Sequence, residues 1–442
     1  MRKKYLLLGT FWVFLYTFLV LVPIIILILG PSTPQRALLQ NLSVGLAFVG
    51  LAIMALQFAL TARIKPLKEP FGSDIVYYYH RQIGIAAFLM IFAHPILLFI
   101  YSSGYINLLN IFTAPWKAKF GVTALLLLIG VVWLAEFRSK LKIPYWFWKI
   151  WHGIIAIIMM VGAILHIYLN GNFVNLPWKQ QLWMSYLIVW ILLIIYTRII
   201  YPLRLINNQY KVINVKPERA NCWTLQMRPT KKSFGFYPGQ FAWLTVWKTP
   251  FSDTEHPFSL ASSSAHNDRI EMTIKELGKF TATIKQVQPG QQVYVDGPYG
   301  SFSCDRYPEA KAFIFLAGGI GITPIMSMLR TLADRNDQRP LMLFYANRDW
   351  ENVTFREEVG SLSKRLNIKV IHILEKPPVD WEEEVGFITT DILKRHIGPQ
   401  MKSLNPEIFL CGPKPMMDAV EKHLKDAGFS GKKIHSERFS LG

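Results

Sequence analysis

The sequence predicts a multi-domain chain, in which a six-helix transmembrane bundle is followed by a small antiparallel β-barrel and then by a parallel α/β domain. Six apolar segments of spanning length come first, at roughly 5–29, 41–62, 80–102, 119–137, 146–169 and 181–201. Short alternating strands occupy residues 209 to about 304. Beyond residue 311 the pattern becomes apolar strand, glycine loop, helix and strand. The predicted domains are therefore residues 1–206, 207–305 and 306–442.

Composition and charge predict a membrane protein and its orientation in the membrane. A chain of 442 residues that is 52% hydrophobic is too long and too apolar for one soluble domain. No cleavage pattern follows the first apolar run, which indicates an uncleaved helix. Basic residues cluster at the N-terminus and in every second connection, so the N-terminus and the two C-terminal domains are expected to be cytoplasmic. The net charge of +19 then reflects topology and anionic lipid rather than nucleic-acid binding.

Four histidines form two pairs of identical spacing in the third and fifth apolar segments: His80 with His94, and His152 with His166. In an α-helix a step of 14 residues turns about 1,400° and rises roughly 21 Å, so each pair lies on one face at two depths. Because both helices run outward, His80 is expected to face His152 near the cytoplasm, and His94 to face His166 near the outer surface. Bis-imidazole ligation of two haem irons uses four histidines in this way, and buried hydrogen-bonded histidines are the alternative.

Two loops in the α/β domain carry the features of nucleotide binding. The loop AGGIGITP at 317–324 joins an apolar strand to a helical pattern, and CGPKPMM at 411–417 follows the strand EIFL. Glycines there let backbone N–H groups approach a pyrophosphate at a helix N-terminus, at the carboxyl ends of strands. Arg348 follows the strand LMLF, where a guanidinium would favour the 2′-phosphate of NADPH. A solvated loop arginine is the alternative.

Three further segments, PGQF at 238–241, HPFSLASS at 256–263 and GKFTATI at 278–284, resemble the flavin-binding motifs of the ferredoxin-reductase family. With the two glycine loops, a near-terminal aromatic at Phe439 and the histidine pairs, they make the chain similar to the ferric reductase and NADPH oxidase family. The plan is closest to that of compact single-chain bacterial members, and the resemblance covers nearly the whole chain from the second helix onward. It implies a multi-pass protein of the bacterial inner or plasma membrane, with a ferredoxin-reductase-like unit in the cytoplasm.

The resemblance also implies roles for individual residues. The matching positions are His256, Pro257, Phe258 and Ser259 for the flavin ring; Gly278, Lys279 and Thr281 for the FAD phosphates; Gly318, Gly319, Gly321, Thr323 and Pro324 for the nicotinamide nucleotide; and Cys411, Gly412 and Pro413 beside the nicotinamide. The four histidines match the ligands of two b-type haems. Phe439 matches an aromatic that covers the flavin until the nicotinamide displaces it. Catalytic roles are expected for Ser259, Cys411, Phe439 and Arg36, the last of these over the outer haem, where it would stabilise developing superoxide.

The expected activity is electron transfer from cytoplasmic NADPH, with NADH as the alternative, through FAD and two haems to an acceptor outside. The three outer loops contain no Asp or Glu and carry only positive charges. Bare ferric ion would need carboxylate ligands, so these charges favour dioxygen, giving superoxide, or an anionic ferric chelate. A third alternative is an electron-supply module for a periplasmic redox partner. The expected partners are the small acceptor and membrane lipid, without nucleic acid and without an obligatory protein partner.

Overall fold

The computed structural model describes residues 2–28, 37–62, 64–68, 70–71, 73–171, 173–174, 176–231, 233–252, 254–266 and 268–438. The chain divides into two compact units. The first, which we call the bundle, spans Leu6–Tyr201, and the second unit contains the chain from Pro202 onward. Arg36 and Phe439 lie outside the described residues, so the roles expected of them stay predictions.

Long apolar helices make up the bundle. The helices before residue 208 are α1 (Arg2–Ile28), α2 (Leu38–Thr61), α3 (Lys65–Lys68), α4 (Ser73–Tyr101), α5 (Trp116–Phe137), α6 (Tyr145–Asn170), α7 (Pro177–Ile195) and α8 (Tyr201–Asn207). Among the described residues, six spans are long and apolar enough to cross a membrane: Tyr5–Ile25, Leu38–Thr61, Ile75–Tyr101, Trp116–Phe137, Tyr145–Asn170 and Pro177–Asn207. The prediction of six spanning helices is confirmed.

Helices α2 and α4 pack closely because one of them carries a glycine at the contact. A Cβ added at Gly50 would lie 2.7 Å from the Ile91 side chain and 2.9 Å from the Ala87 carbonyl oxygen. Small residues permit such close approach, which supplies the packing energy that the hydrophobic effect does not provide between helices in lipid. The contact sets α2 directly against the helix that carries His80 and His94.

An antiparallel sheet begins the second unit. Its strands are β1 (Tyr210–Glu218), β2 (Cys222–Pro229), β3 (Phe241–Thr245), β4 (His256–Ser259), β5 (Ile270–Lys275) and β6 (Gln292–Tyr299). The strand order is β4-β3-β6-β1-β2-β5, and an antiparallel bridge between Leu260 and Met272 joins the two ends. The sheet therefore closes around a buried apolar core, which confirms the predicted barrel. Strands β4 and β5 were not predicted. Strand β4 is only four residues long, whereas β5 (IEMTIK) alternates apolar and polar residues and so carried a strand signal.

A parallel sheet follows the barrel. Its strands are β7 (Phe313–Gly318), β8 (Leu341–Asn347), β9 (Ile368–Leu374), β10 (Glu384–Val385), β11 (Glu407–Cys411) and β12 (Ile434–Glu437), and the helices are α9 (Ile322–Asp334), α10 (Arg356–Leu362), α11 (Thr390–His396), α12 (Pro399–Ser403) and α13 (Lys414–Asp426). The order is β10-β9-β8-β7-β11-β12, with every pairing parallel. Apolar cores cover both faces, which explains the continuous apolar run of β7. The predicted parallel α/β domain is confirmed.

Helix α9 connects the barrel to the parallel sheet through a buried charge cluster. The Arg330 guanidinium donates to the Ala261 carbonyl oxygen at 2.6 Å and to Glu271 at 3.0 Å, both in the barrel. It also donates to both carboxylate oxygens of Glu358 on α10, at 2.6 and 2.7 Å. The Arg330 and Glu271 side chains are only 15% and 10% exposed. These charges are stable away from water because each has found a partner of opposite sign.

Candidate functional site

The four predicted histidines meet as two pairs between α4 and α6. We call His94 and His166 the outer pair, and His80 and His152 the inner pair. The ring centroids are 6.4 Å apart in each pair, with interplanar angles of 71° in the outer pair and 68° in the inner pair. Two imidazoles that share one metal at metal–nitrogen distances of about 2 Å have centroids about 6 Å apart. Each separation therefore suits one metal ion between the rings, although the role of the four histidines as ligands stays a prediction.

Hydrogen bonds orient both rings of the outer pair. His166 Nδ1 lies 2.6 Å from the Lys117 carbonyl oxygen. His94 Nδ1 lies 2.8 Å from Ser43 Oγ and 3.2 Å from the Ser43 carbonyl oxygen. Since a carbonyl oxygen can only accept, Nδ1 carries the hydrogen in both rings. The lone pair of each ring is then on Nε2, which is the arrangement that metal-ligating histidines use.

The inner pair has a different environment. Nδ1 of His80 and Nδ1 of His152 are buried without a hydrogen-bond partner in the part of the chain that the structure describes. A buried polar atom left unpaired costs roughly 1–3 kcal/mol. Next to His80, Arg81 donates to both oxygens of Glu136 at 2.8 and 2.9 Å. The inner rings are thus held by packing within the bundle rather than by their Nδ1 atoms.

An apolar cavity adjoins the outer pair. Its described walls come mainly from α2, α4, α5 and α6, and the polar side chains among them are those of His94, Tyr105, His166 and Asn170. Apolar walls with two facing imidazoles are what a bis-histidine haem requires. No group of three or more His, Cys, Asp or Glu that could hold a bare metal ion occurs among the described residues. The residues present therefore fit a haem better than an isolated ion.

Strand β4 presents the segment expected to line a flavin. His256, Pro257 and Phe258 pair with β3. The Phe280 ring stacks on the His256 ring at 3.7 Å between centroids and lies 6.2 Å from the Phe258 ring, nearly parallel to it. Ser259 Oγ is buried and has no hydrogen-bond partner among the described residues. A row of aromatic rings beside an unpaired hydroxyl fits a planar ring system with polar edges.

The turn at residues 277–281 fits a phosphate group in part. A Cβ built at Gly278 would meet nothing within 4 Å, and the Lys279 side chain is exposed. The Thr281 hydroxyl, however, accepts hydrogen bonds from the backbone N–H groups of Leu277 and Gly278, at 2.8 Å each. Thr281 therefore orders the turn, while Lys279 and the open backbone are free to approach a phosphate.

The two glycine loops contact each other, because β7 and β11 are neighbours in the sheet. A Cβ at Gly321 would overlap the Cys411 carbonyl oxygen, and one at Gly318 would overlap Met416 Sδ. Gly319 has φ +51°, and nothing lies within 4 Å of its Cβ position. Glycine is therefore required at 321, where the obstacle is backbone, whereas the obstacle at 318 is the flexible Met416 side chain. At Gly319 it leaves an open strip of backbone for a dinucleotide.

Three residues predicted for nucleotide binding lie at strand and helix ends near these loops. Thr323 and Pro324 are buried in the first turn of α9, and Thr323 Oγ1 donates to the Ile320 carbonyl oxygen at 3.0 Å. Arg348 is exposed directly after β8, and its carbonyl oxygen accepts from the Lys376 N–H at 2.7 Å. Thr323 thus stabilises the loop itself, while the Arg348 side chain is available to a ligand.

Strand β11 ends at Cys411, the first residue of the CGP segment, and the side chain of this cysteine is buried. Cys411 is fully buried, and burial raises the pKa of its thiol well above the ordinary value. Gly412 follows as a buried residue, and Pro413 is exposed. Cys411 is therefore a neutral thiol under ordinary conditions, and its backbone, rather than a thiolate, forms the surface beside Gly321.

Three residues of these sites were not found by sequence reasoning. Phe280 is part of the segment GKFTATI at 278–284, between Lys279 and Thr281. Its aromatic ring was a signal that it could stack on another ring. Ser43 contacts His94, which is 51 residues away, and Gly121 lies against His166, where an added Cβ would come within 2.6 Å of Nδ1. No local pattern marks such residues, because their roles depend on which helices become neighbours.

Comparison with known proteins places these observations in a family. The model of the ferric reductase like transmembrane component matches residues 46–163, that of an FAD-binding domain matches 207–303, and that of an oxidoreductase NAD-binding domain matches 315–422. Fold and site together define a multi-pass membrane oxidoreductase with FAD- and NAD-binding domains. The three matches, in this order along the chain, correspond to the plan of the ferric reductase/NADPH oxidase family.

Individual relatives match about half of the chain. The reductase component of propane 2-monooxygenase from Mycolicibacterium smegmatis is 31% identical over 216 residues, covering 47% of this chain and 60% of that protein. The gamma subunit of sulfhydrogenase 2 from Pyrococcus furiosus is 30% identical, covering 46% of this chain and 72% of that protein. A solved structure, the flavohaem-like FAD/NAD-binding domain of nitric oxide dioxygenase from Vibrio cholerae, is 21% identical, with 52% and 98% covered and a TM-score of 0.46. The chain spans about 60% of the length of the curated propane monooxygenase reductases.

Proposed function

We propose that this protein carries electrons from cytoplasmic NADPH, with NADH as the alternative donor, through FAD and two b-type haems to an acceptor outside the membrane. One observation carries the proposal: two histidine pairs with metal-compatible spacing lie 14 residues apart along the same two spanning helices. A chain that also contains FAD- and NAD-binding domains has the parts needed to load electrons at one side of the membrane and release them at the other.

The bound groups would supply hydride transfer from nicotinamide to flavin and single-electron transfer through haem iron. The residues of this chain bind and orient these groups. The open backbone at Gly319 would take the pyrophosphate of the nucleotide. Ser259 would use its unpaired hydroxyl at the edge of the flavin ring, and Lys279 would bind the FAD phosphates. The inner and outer pairs would supply two Nε2 ligands each.

Dioxygen, reduced to superoxide, is the acceptor that we favour. The outer loops contain no carboxylate. The nearest lysines are Lys117 and Lys119 in the first turn of α5 and Lys179, whose side chain is buried, in the first turn of α7. A positive outer surface attracts an anionic product or an anionic ferric chelate, but provides no hard ligands for bare ferric ion. Ferric-chelate reduction is therefore the second candidate, and an electron supply to a periplasmic protein is the third. Arg36 would stabilise developing superoxide in the first of these.

The orientation also belongs to the proposal. The basic residues cluster at the start of α1 and in the segments that follow α2, α5 and α7, which indicates that these ends face the cytoplasm. The second unit would then meet NAD(P)H in the cytoplasm of a bacterial cell. Lipid and a small acceptor are the partners that this scheme needs, and it requires no additional protein.

The test is NADPH consumption by detergent-purified protein supplied with FAD, after haem per chain has been measured as the pyridine haemochrome. The aerobic assay contains cytochrome c as a superoxide trap, with and without superoxide dismutase, and the anaerobic assay contains ferric citrate. We expect two haems per chain and trap reduction that the dismutase abolishes. Rapid ferric reduction without superoxide would establish the chelate reductase instead. Full haem reduction with slow turnover of both acceptors would favour a missing partner, and protein without haem would overturn the electron path.

A further inference from the structure

The outer histidines have anchors that the inner histidines lack. We infer that Gly121 and the Lys117 carbonyl position His166, and that Ser43 positions His94, so that both Nε2 atoms are directed to the outer haem before it binds. The inference rests on the proposed haem function and extends it to residues that do not touch the metal. Gly121 and Ser43 are in this sense positioning residues.

The first anchor depends on the absence of a side chain at Gly121. A Cβ at this position would lie 2.6 Å from His166 Nδ1 and 2.9 Å from its Cε1, whereas real Cβ atoms essentially never come within 3.0 Å of another heavy atom. The ring therefore lies directly against the surface of α5. The Lys117 carbonyl stands one helical turn before Gly121, and Nδ1 reaches it at 2.6 Å. Only a glycine at 121 gives the ring this access.

The second anchor is the Ser43 hydroxyl, which already donates its hydrogen to a backbone carbonyl oxygen. Ser43, on α2, is fully buried, and its Oγ donates to the His94 carbonyl oxygen at 2.9 Å. Ser43 Oγ can then only accept from His94 Nδ1, which lies 2.8 Å away. The Ser43 carbonyl oxygen, at 3.2 Å, is a second acceptor for the same N–H. His94 is thereby fixed in the tautomer that leaves Nε2 free for the metal.

The consequence for a bound haem is electronic as well as geometric. An Nδ1–H that donates to an oxygen makes the opposite nitrogen a more basic ligand, which favours the oxidised metal. Nδ1 of His80 and Nδ1 of His152 have no such partner among the described residues. The outer haem would therefore respond to changes at Gly121 or Ser43, while the inner haem would not.

Gly121→Ala tests the first anchor, and Gly130→Ala is its matched control. Both glycines are in α5, but a Cβ at Gly130 would meet nothing within 4 Å. The readouts are haem per chain and the low-temperature electron paramagnetic resonance spectrum of the oxidised, full-length protein. We expect Gly121→Ala to lose or shift one of two low-spin signals and to retain the other, which also reports that the bundle is folded. Gly130→Ala should match the wild type.

Ser43→Ala tests the second anchor without adding volume to the bundle. We expect it to keep two haems, to shift one low-spin signal and to raise the reduction potential of that haem in a redox titration. Ser185→Ala is the control, because Ser185 Oγ donates at 2.8 Å to Gln181 of its own helix. Wild-type signals in Gly121→Ala together with an unchanged potential in Ser43→Ala would overturn the inference. Wild-type protein without haem would overturn the proposed function instead, so the two failures can be distinguished.

Discussion

The candidate site of the bundle is formed by side chains, whereas the candidate nucleotide site of the second unit is formed mainly by backbone. In the second unit the surface is mostly backbone, since the loop at 317–324 contacts the loop at 411–417 and leaves main chain open at Gly319. In the bundle the surface is made by four imidazole rings. A spanning helix uses its backbone N–H and C=O groups internally, whereas the ends of parallel strands and the helix N-termini after them leave N–H groups available. A membrane site must therefore use side chains, and a nucleotide site has less need of them.

The largest expected effect comes from removing one side chain from the bundle. His94→Leu should eliminate the outer haem, reduce haem absorbance by about half and stop electron delivery to any outer acceptor, because a haem iron of this type needs both axial ligands. Anaerobic bleaching of the flavin by NADPH should proceed as in the wild type. The matched substitution His266→Leu, at an exposed histidine of the second unit, should change neither measurement. Unchanged haem content in His94→Leu would refute the ligand assignment.

A smaller effect is expected from adding one methyl group to the backbone-built site. In Gly321→Ala the new Cβ would overlap the Cys411 carbonyl oxygen, so the two loops must separate. We expect flavin reduction by NADPH to slow roughly 100-fold, about 2.7 kcal/mol, with FAD and haem content unchanged, as measured by stopped-flow absorbance. Gly360→Ala is the control, because its Cβ would meet nothing within 4 Å. A wild-type rate in Gly321→Ala would show that the contact between the loops is dispensable.

The smallest effect is expected at Arg348, where nucleotide binding by the second unit would depend on a side chain. Arg348→Gln should raise the KM for NADPH about tenfold, roughly 1.4 kcal/mol, because the amide cannot pair with a 2′-phosphate. The KM for NADH should stay the same, since NADH lacks that phosphate. Steady-state kinetics with both nucleotides measures the difference, and Arg228→Gln, at an exposed arginine of β2, is the control. An equal change in the KM for NADPH and the KM for NADH would show that Arg348 does not discriminate between the two nucleotides.

Much of the architecture could be predicted because its signals are local. Local sequence patterns are sufficient to predict the spanning helices, the apolar strand β7 and the glycine loop that follows it. The pairing of the histidines followed from helix periodicity and from the direction of two helices. Strand β4 was missed because it is short and contains Pro257. Strand β5 could have been predicted, because its sequence IEMTIK alternates apolar and polar residues.

The supporting residues of the sites could not be predicted from the same signals. Gly121 matters only because α6 places His166 against it, and Ser43 matters only because α2 packs on α4. Thr281 was expected to face a phosphate, but its hydroxyl is occupied by the turn that contains it. The inward orientation of Cys411 likewise depends on the sheet around it. A sequence motif predicts which residues belong to a site. The contacts that each side chain makes there depend on distant residues that become neighbours only in the folded protein.

The charge cluster at Arg330 has a consequence for the order in which the second unit is completed during synthesis. The barrel strands, from β1 to β6, leave the ribosome before α9, so the Ala261 carbonyl and one oxygen of the Glu271 carboxylate lack the Arg330 donor until α9 is translated. Within the barrel, the other oxygen of Glu271 accepts from Gln226 at 2.9 Å, so this carboxylate, only 10% exposed in the complete unit, is partly paired before Arg330 arrives. The barrel alone therefore lacks the cation that lies closest to its buried carboxylate, and the nucleotide-binding half supplies it.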